Sequence, residues 1–340
     1  MQKLIDSHPG LVEVLYNPGK KLICSYREGT IFYARQYFPE HKDFSMLNDP
    51  KMPWLKDLCD LSFVQTLLGK KIQRITPLSY KPESRATFLF ELTDGSLIGK
   101  THATKDGKHS YLAAKELASQ GVNIPAAHAY YHYPPLTLTE CLCGKTWQLK
   151  DGQIGSIGRA LKKLHSSVVT APLESQIPSF IKSLEKSRSL VEALFPQLAA
   201  RSRALAEELA SLLQKTLKNN ELIHADFHKS NLLTTQNGIA ILDLEDLSRG
   251  DKRIDLGRFL ASCRVPYLRK HGFLEGFETI RQSFLGGCGP NGLYLFESAF
   301  LFTSAATGFR FQRNGWEKEG PALFAEAEKI LDSNQLETLS

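Results

Sequence analysis

Three polar residues about two thirds of the way along the chain could handle a metal-bound phosphate. Asp226 follows an apolar run, Leu222-Ile223, and stands five residues before Asn231; a second apolar run, from Ile239 to Leu242, delivers Asp243. A carboxylate can orient a hydroxyl and take its proton while that oxygen is phosphorylated. A neutral amide oxygen and a second carboxylate are hard donors suited to Mg²⁺ held across phosphates. Such a transfer asks little covalent chemistry of the protein, so positioning and electrostatics supply most of the catalysis. Asp226 fits the base, and Asn231 and Asp243 fit the metal ligands. Placed on opposite ends of a short hairpin, both ligands would reach one ion. Isolated Asp and Asn residues ordinarily serve turns and caps. Three of them in this order, flanked by two apolar strands, point instead to chemistry. His224 fits a residue that bonds backbone and braces the loop, and Asp255 fits a similar brace.

The segment Ile223-His224-Ala225-Asp226-Phe227-His228-Lys229-Ser230-Asn231, with Asp243 behind it and Gly250-Asp251-Lys252-Arg253-Ile254-Asp255 beyond, resembles the aminoglycoside phosphotransferase and choline kinase-like superfamily. That superfamily's pattern is His-Gly-Asp-x-x-x-x-Asn, an Asp after an apolar strand, then Gly-Asp-x-x-x-Asp. Ala225 departs from the usual Gly, and Lys229-Ser230 from a common Pro-Gly. The resemblance implies an α+β, protein kinase-like two-lobed fold. Its small N-terminal lobe is an antiparallel sheet with one helix, and its larger C-terminal lobe is mainly helical. It implies Mg²⁺ and ATP, with GTP left open, and a small-molecule acceptor such as an aminoglycoside, an amino alcohol or a sugar. Lys100 would hold the nucleotide's phosphates, steadied by an ion pair with Glu116. The Glu140 carbonyl and the Leu142 amide would meet the adenine edge, beside Thr139. The turn Lys81-Pro82-Glu83-Ser84-Arg85 lacks the glycines of a phosphate-covering loop, so Lys81, Ser84 and Arg85 would contact phosphate by side chain. A protein kinase fits less well: Asp243 is followed by Leu244-Glu245 rather than Phe-Gly. A nucleotide-binding or regulatory protein without turnover is the alternative, and the presence of every expected polar group argues against it.

The elements that must position these residues are legible in outline. Arg85 to Leu92 and Ser96 to His102 read as strands across Asp94-Gly95, a strong hairpin signal. A helix over 110–120 ends at Gly121, a residue suited to a left-handed cap. Strands follow from Ala126 to His132 and from Leu136 to Cys141. Helices are expected from Ile154 to His165, from Ile177 to Phe195 and from Leu198 to Lys218, with Leu205, Leu209, Leu212 and Leu213 on one face. Helices resume from Asp255. By the resemblance, residues 76–143 would form the nucleotide-binding lobe and 144–340 the helical lobe with the catalytic loop and acceptor site. Residues 1–75 form an extension packed on the small lobe. It carries strands from Val12 to Tyr16, Leu22 to Tyr26 and Ile31 to Tyr37, and a helical run over 55–68. Tyr16-Asn17-Pro18 with its hairpin echoes Tyr80-Lys81-Pro82 with its own, either a degenerate repeat or chance similarity.

The bulk properties set bounds. Apolar residues make up 42% of the 340 and charged residues 23%, so a substantial core can form. The net charge of +6 is spread over short, scattered basic pairs such as Lys20-Lys21 and Lys70-Lys71, which argues against a nucleic-acid partner. Among the cysteines only Cys141 and Cys143 are close, with one residue between them, which is neither a zinc nor a thioredoxin spacing. Free thiols are expected. Met1 to Leu15 carries Asp6, Pro9 and Glu13 and no apolar leader. Leu293 to Phe309, the most apolar stretch, contains Glu297 and reads as a buried helix rather than a membrane span. A cytoplasmic location without membrane association follows as the expectation.

Overall fold

Alternating apolar residues, punctuated by Gly and Asn turns, build two antiparallel sheets in the first part of the chain. The computed structural model describes residues 10–104, 107–218, 220–272, 274, 276–286 and 290–338. The N-terminal residues 1–9, where no leader is read, and Cys288 lie outside them. Strands β1 (Leu11–Asn17), β2 (Lys21–Glu28), β3 (Ile31–Phe38) and β4 (Lys42–Ser45) form a meander in that order. The second sheet contains β5 (Ile72–Lys81), β6 (Arg85–Leu92), β7 (Gly95–His102), β8 (Ala127–Tyr131) and β9 (Leu136–Glu140), in the order β5-β6-β7-β9-β8. Along β6, Ala86, Phe88, Phe90 and Leu92 are buried and their neighbours are not, the period of a half-buried strand. Gly99 on β7 leaves room for Phe90, since a Cβ there would lie 2.3 Å from that ring.

Between the sheets in sequence stand two short helices, α1 (Leu55–Leu58) and α2 (Leu61–Leu68), where the apolar spacing predicts one run over 55–68. The run breaks at Asp60, whose carboxylate accepts from the Phe63 amide at 2.7 Å and caps α2. Strand β5 runs through the expected boundary at residue 75, pairing with β6 from Ile72 onward. Ile23, Phe32, Met46, Met52, Leu55 and Leu58 share one buried cluster with Tyr80, Phe88 and Phe90.

The chain divides into two units. One takes in the described residues up to Lys115, with Pro125–Leu142 and Arg310–Gln312; the other is Glu116–Ile124, Cys143–Phe309 and the chain from Arg313. Helix α3 (Lys108–Ser119) crosses from the first to the second. The second unit contains α4 (Ile154–His165), α5 (Ile177–Leu194), α6 (Ala199–Thr216), α7 (Arg253–His271), α8 (Phe277–Leu285), α9 (Leu293–Ser304), α10 (Thr307–Arg310), except its last residue, and α11 (Trp316–Thr338). Helix α9 is apolar on nearly every side because α5, α6, α7 and α11 all pack against it. Its one acid, Glu297, is buried and paired with Arg264 and, at 2.7 Å, with Arg281. Among the described residues no helix is long and apolar enough to cross a membrane. The five described cysteines form no disulfide with one another. This is the expected α+β order of an antiparallel sheet part followed by a helical part.

Candidate active site

Two small sheets inside the helical unit carry the catalytic segment. Strand β11 (Glu221–Ile223) pairs with β14 (Ser248–Gly250) and delivers His224-Ala225-Asp226. Strands β12 (Leu232–Thr235) and β13 (Gly238–Ile241) form a hairpin with Leu232 opposite Ile241, and β10 (Lys145–Thr146) adds to β12. The Leu242 amide donates to the Asn231 carbonyl at 2.8 Å, extending the ladder by one step. Asn231 and Asp243 therefore leave the same open end of this hairpin. The Asn231 Nδ2 donates to the Asp226 backbone carbonyl at 3.1 Å. A carbonyl only accepts, so the amide's orientation is fixed. Its Oδ1 is left without a protein hydrogen bond among the described residues.

The loop between the two sheets is strained and then pinned. Ala225 has φ 63° and Asp243 has φ 61°, both left-handed, a conformation that costs an L-residue about 1–2 kcal/mol. This is why glycine suits the position of Ala225. Asp255, in the first turn of α7, is fully buried and accepts from the His224 and Ala225 amides, each at 2.8 Å. His165 of α4 reaches the same carboxylate through Nε2 at 2.8 Å. His224 ties the loop to the other sheet. Its Nε2 lies 2.7 Å from the Leu242 carbonyl, and its Nδ1 accepts from the Asp226 amide at 3.2 Å. Those partners require the proton on Nε2, so His224 braces backbone. Phe227 is buried against Phe259, with ring centroids 5.6 Å apart, and anchors the loop's other side. Asp255→Ala would leave two buried amides without acceptors and release the left-handed Ala225. A stability loss of about 2–4 kcal/mol in urea unfolding is expected. Ala225→Gly, which trades strain against backbone entropy, should stay within about 1 kcal/mol of wild type.

The Asp226 carboxylate is not bare. Arg258, one turn beyond Asp255 on α7, forms an ion pair with Oδ1, without the alignment of a hydrogen bond. His228 Nε2 lies 3.5 Å from Oδ2. Burial pushes the carboxyl up, but the bond from His228 and the charge of Arg258 outweigh it and hold the group well below the usual carboxylate range. The Arg258 guanidinium also lies over Phe300, 5.4 Å from the ring centroid. Gly257 makes room for this packing, since a Cβ there would sit 2.7 Å from that of Phe296. Sequence reasoning overlooked Arg258 and His165. The signal for Arg258 was its position three residues after Asp255 on one helix; nothing in the sequence ties His165 to the loop.

The candidates for nucleotide contact lie in the sheet unit, except Glu116. Lys100 lies on β7 between Thr87 and Thr137, and Lys81 pairs with Arg85 across the β5–β6 turn. Glu140 ends β9, its amide donating to the Ala126 carbonyl at 2.8 Å, and Leu142 follows beyond the sheet. Glu116 is engaged within the helical unit. Its carboxylate accepts from the Thr170 amide and hydroxyl, each at 2.6 Å, and these bonds hold it below the usual range. Among the described residues no group of three or more His, Cys, Asp and Glu is arranged as a metal cage. Two donors, Asn231 Oδ1 and the Asp243 carboxylate, suit a Mg²⁺ that takes its other ligands from phosphate and water.

A strand-borne aspartate braced by histidine, ahead of a hairpin bearing Asn and Asp, defines a kinase-like phosphotransferase. The chain belongs to the phosphotransferase enzyme family, whose model matches residues 75–278. No curated protein sequence is significantly similar to it. Among solved structures, it is similar to a choline/ethanolamine kinase family protein from Mesorhizobium loti. The identity is 16% and the TM-score 0.55, over 81% of this chain and 94% of that one. A thermostable mutant of the aminoglycoside phosphotransferase APH(4)-Ia is 14% identical, with a TM-score of 0.58 over 81% and 99%. Spectinomycin phosphotransferase APH(9)-Ia, solved with ADP and spectinomycin, is 16% identical, with a TM-score of 0.56 over 81% and 99%. These likenesses establish the protein kinase-like fold that the catalytic segment implied.

Proposed function

We propose that the chain transfers the γ-phosphoryl group of ATP to a hydroxyl of a small molecule, with Asp226 as the base. The acceptor oxygen bonds to phosphorus, the bond to the bridging oxygen of the leaving diphosphate breaks, and the hydroxyl proton passes to the Asp226 carboxylate. Arg258 and His228 orient that carboxylate and keep it ionised. Asn231 Oδ1 and the Asp243 carboxylate would hold Mg²⁺, which when bound neutralises charge on the phosphates. Lys100, with Lys81 and Arg85, would meet the phosphates; the Glu140 carbonyl and the Leu142 amide would meet the base. Glu116 is left out, because Thr170 holds it. The observation that carries this reading is the Asn231 amide, locked by the Asp226 carbonyl so that its oxygen faces away as a free hard donor beside Asp243. The structural neighbours include a choline/ethanolamine kinase family protein, an aminoglycoside phosphotransferase and a spectinomycin phosphotransferase. Amino alcohols, aminoglycosides and sugars are therefore the acceptors to try first. An ATP substrate and free thiols fit a cytoplasmic site of action. A coupled assay of ADP release against such a panel tests the reading; no acceptor-dependent ADP release across it would count against a hydroxyl kinase.

Asp243→Ala removes the only anionic metal ligand of the pair. Calorimetry should find Mg²⁺-dependent ATP binding abolished, whereas Asn231→Ala, which removes a neutral donor, should weaken it less. Unchanged affinity with unchanged metal dependence in Asp243→Ala would move the metal site elsewhere.

A further inference from the structure

The β5–β6 turn is held by residues far from it in sequence. Glu83 has φ 58°, left-handed without being glycine. Asp49, between β4 and α1, is buried to 2% exposure and spends both carboxylate oxygens. Its Oδ2 accepts from the Tyr80 hydroxyl at 2.7 Å and the Glu83 amide at 2.8 Å. Its Oδ1 accepts from the Lys51 amide at 2.8 Å and the Met52 amide at 3.1 Å. The Glu83 carboxylate is in turn paired with Lys21 Nζ of β2 at 2.5 Å and Lys51 Nζ at 3.5 Å. The same N-terminal segment touches the strand of Lys100. Trp54 Nε1 donates to the Thr101 hydroxyl at 2.8 Å, one residue beyond that lysine.

A glycine-rich phosphate loop works by flexibility and by turning its amides to the phosphates. Neither is available here. The Glu83 amide is spent on Asp49, and the Ser84 amide on the Lys81 carbonyl at 3.1 Å. The Ser84 carbonyl accepts from the Ala103 amide at 2.8 Å, which fastens the turn to the chain beyond β7. A carboxylate at Glu83 would repel phosphate if left alone, and Lys21 and Lys51 neutralise it.

We propose that the N-terminal segment is a built-in clamp on the nucleotide-phosphate turn. Asp49, Lys21 and Lys51 act as positioning residues, holding Lys81–Arg85 rigid so that the turn meets the triphosphate with side chains. The inference rests on the phosphotransferase reading above. It makes the N-terminal sheet part of the nucleotide site.

The test is calorimetry of the full chain with two probes, Mg²⁺–AMP-PNP and adenosine, on wild type, Asp49→Asn and the double variant Lys21→Ala/Lys51→Ala. The lysine pair keeps the test open should Asp49→Asn fold poorly, since both side chains are partly exposed. AMP-PNP affinity should fall about tenfold in Asp49→Asn, the effect of losing hydrogen bonds to a charged group, with a smaller fall in the lysine pair. Adenosine affinity should stay at the wild-type value in both. Amide exchange without nucleotide should quicken at Glu83 and Ser84 in Asp49→Asn. If wild type binds no AMP-PNP, the phosphotransferase reading falls and the clamp with it. If wild type binds and the variants lose nothing, or lose both probes equally, the clamp alone is overturned.

Discussion

Asp226→Asn should fold, bind Mg²⁺–ATP near the wild-type affinity, and lose turnover by roughly 10²–10⁴-fold, the range for a positioned general base. The fold should survive because the loop is held by groups the substitution leaves alone. The amide of residue 226 still meets His224 Nδ1, and its carbonyl still meets Asn231 Nδ2. What disappears is the negative charge facing Arg258 and His228. Arg258 remains partly exposed and stacked on Phe300, so losing its partner should cost modest stability. The sign of the pH effect follows from the depressed carboxyl. An acid whose folded value lies below its unfolded one contributes stability above the ordinary carboxylate range, and that contribution is lost as pH falls through the folded value. The stability gap between wild type and Asp226→Asn should therefore narrow in strong acid. For the same reason the wild-type rate should show no acid limb from Asp226 above about pH 4. Turnover with an accepted hydroxyl substrate, circular dichroism and calorimetry decide the matter. A variant that keeps near-normal turnover would remove Asp226 from the chemistry.

The parts of this protein readable from sequence are those fixed by neighbours in the chain. The helix Ile154–His165 shows Ile157, Leu161 and Leu164 on one face, and the structure places its ends where that spacing does. The catalytic hairpin is legible because its apolar strands, turn and polar ends are contiguous. The contacts that tune it come from elsewhere. Arg258 and His165 reach the loop from helices about 30 and 60 residues away, and periodicity reports only which face of a helix is buried. The left-handed Ala225 was invisible, because alanine carries no signal for that conformation. The Thr170 amide and hydroxyl that donate to Glu116 were equally unreadable, because they lie 54 residues further along the chain. Asp49 was hidden in the same way. Asn48-Asp49-Pro50 reads as an ordinary turn, and only the fold brings Tyr80 and Glu83 onto its carboxylate. Strand β5 crosses the expected boundary at residue 75, and Pro77 sits in it at a register shift between Pro77 and Ser79.

A chain beginning at Lys71 should be insoluble or unfolded. It keeps β5 and the whole second sheet, but it loses Ile23, Phe32, Met46, Met52, Leu55, Leu58 and Val64, all buried in the cluster that also holds Phe88 and Phe90. Burial of each large side chain of this kind contributes about 1.5–3 kcal/mol. Their sum rivals or exceeds the 5–15 kcal/mol or so by which a domain is ordinarily stable. The polar stitches go as well. Tyr80 loses the Asp49 carboxylate, and Thr101 loses the indole of Trp54. The face left behind, lined by Tyr80, Phe88 and Phe90, is an apolar patch of the kind that drives aggregation. No Gly/Ser-rich or Pro-rich spacer separates the two sheets, so nothing in the chain marks the first as a detachable module. Limited proteolysis of the full chain and expression of the shortened one read the outcome directly. Rapid release of an intact fragment starting near residue 70, soluble and still able to bind Mg²⁺–ATP, would show that the N-terminal sheet is an appendage and that the second sheet stands without it.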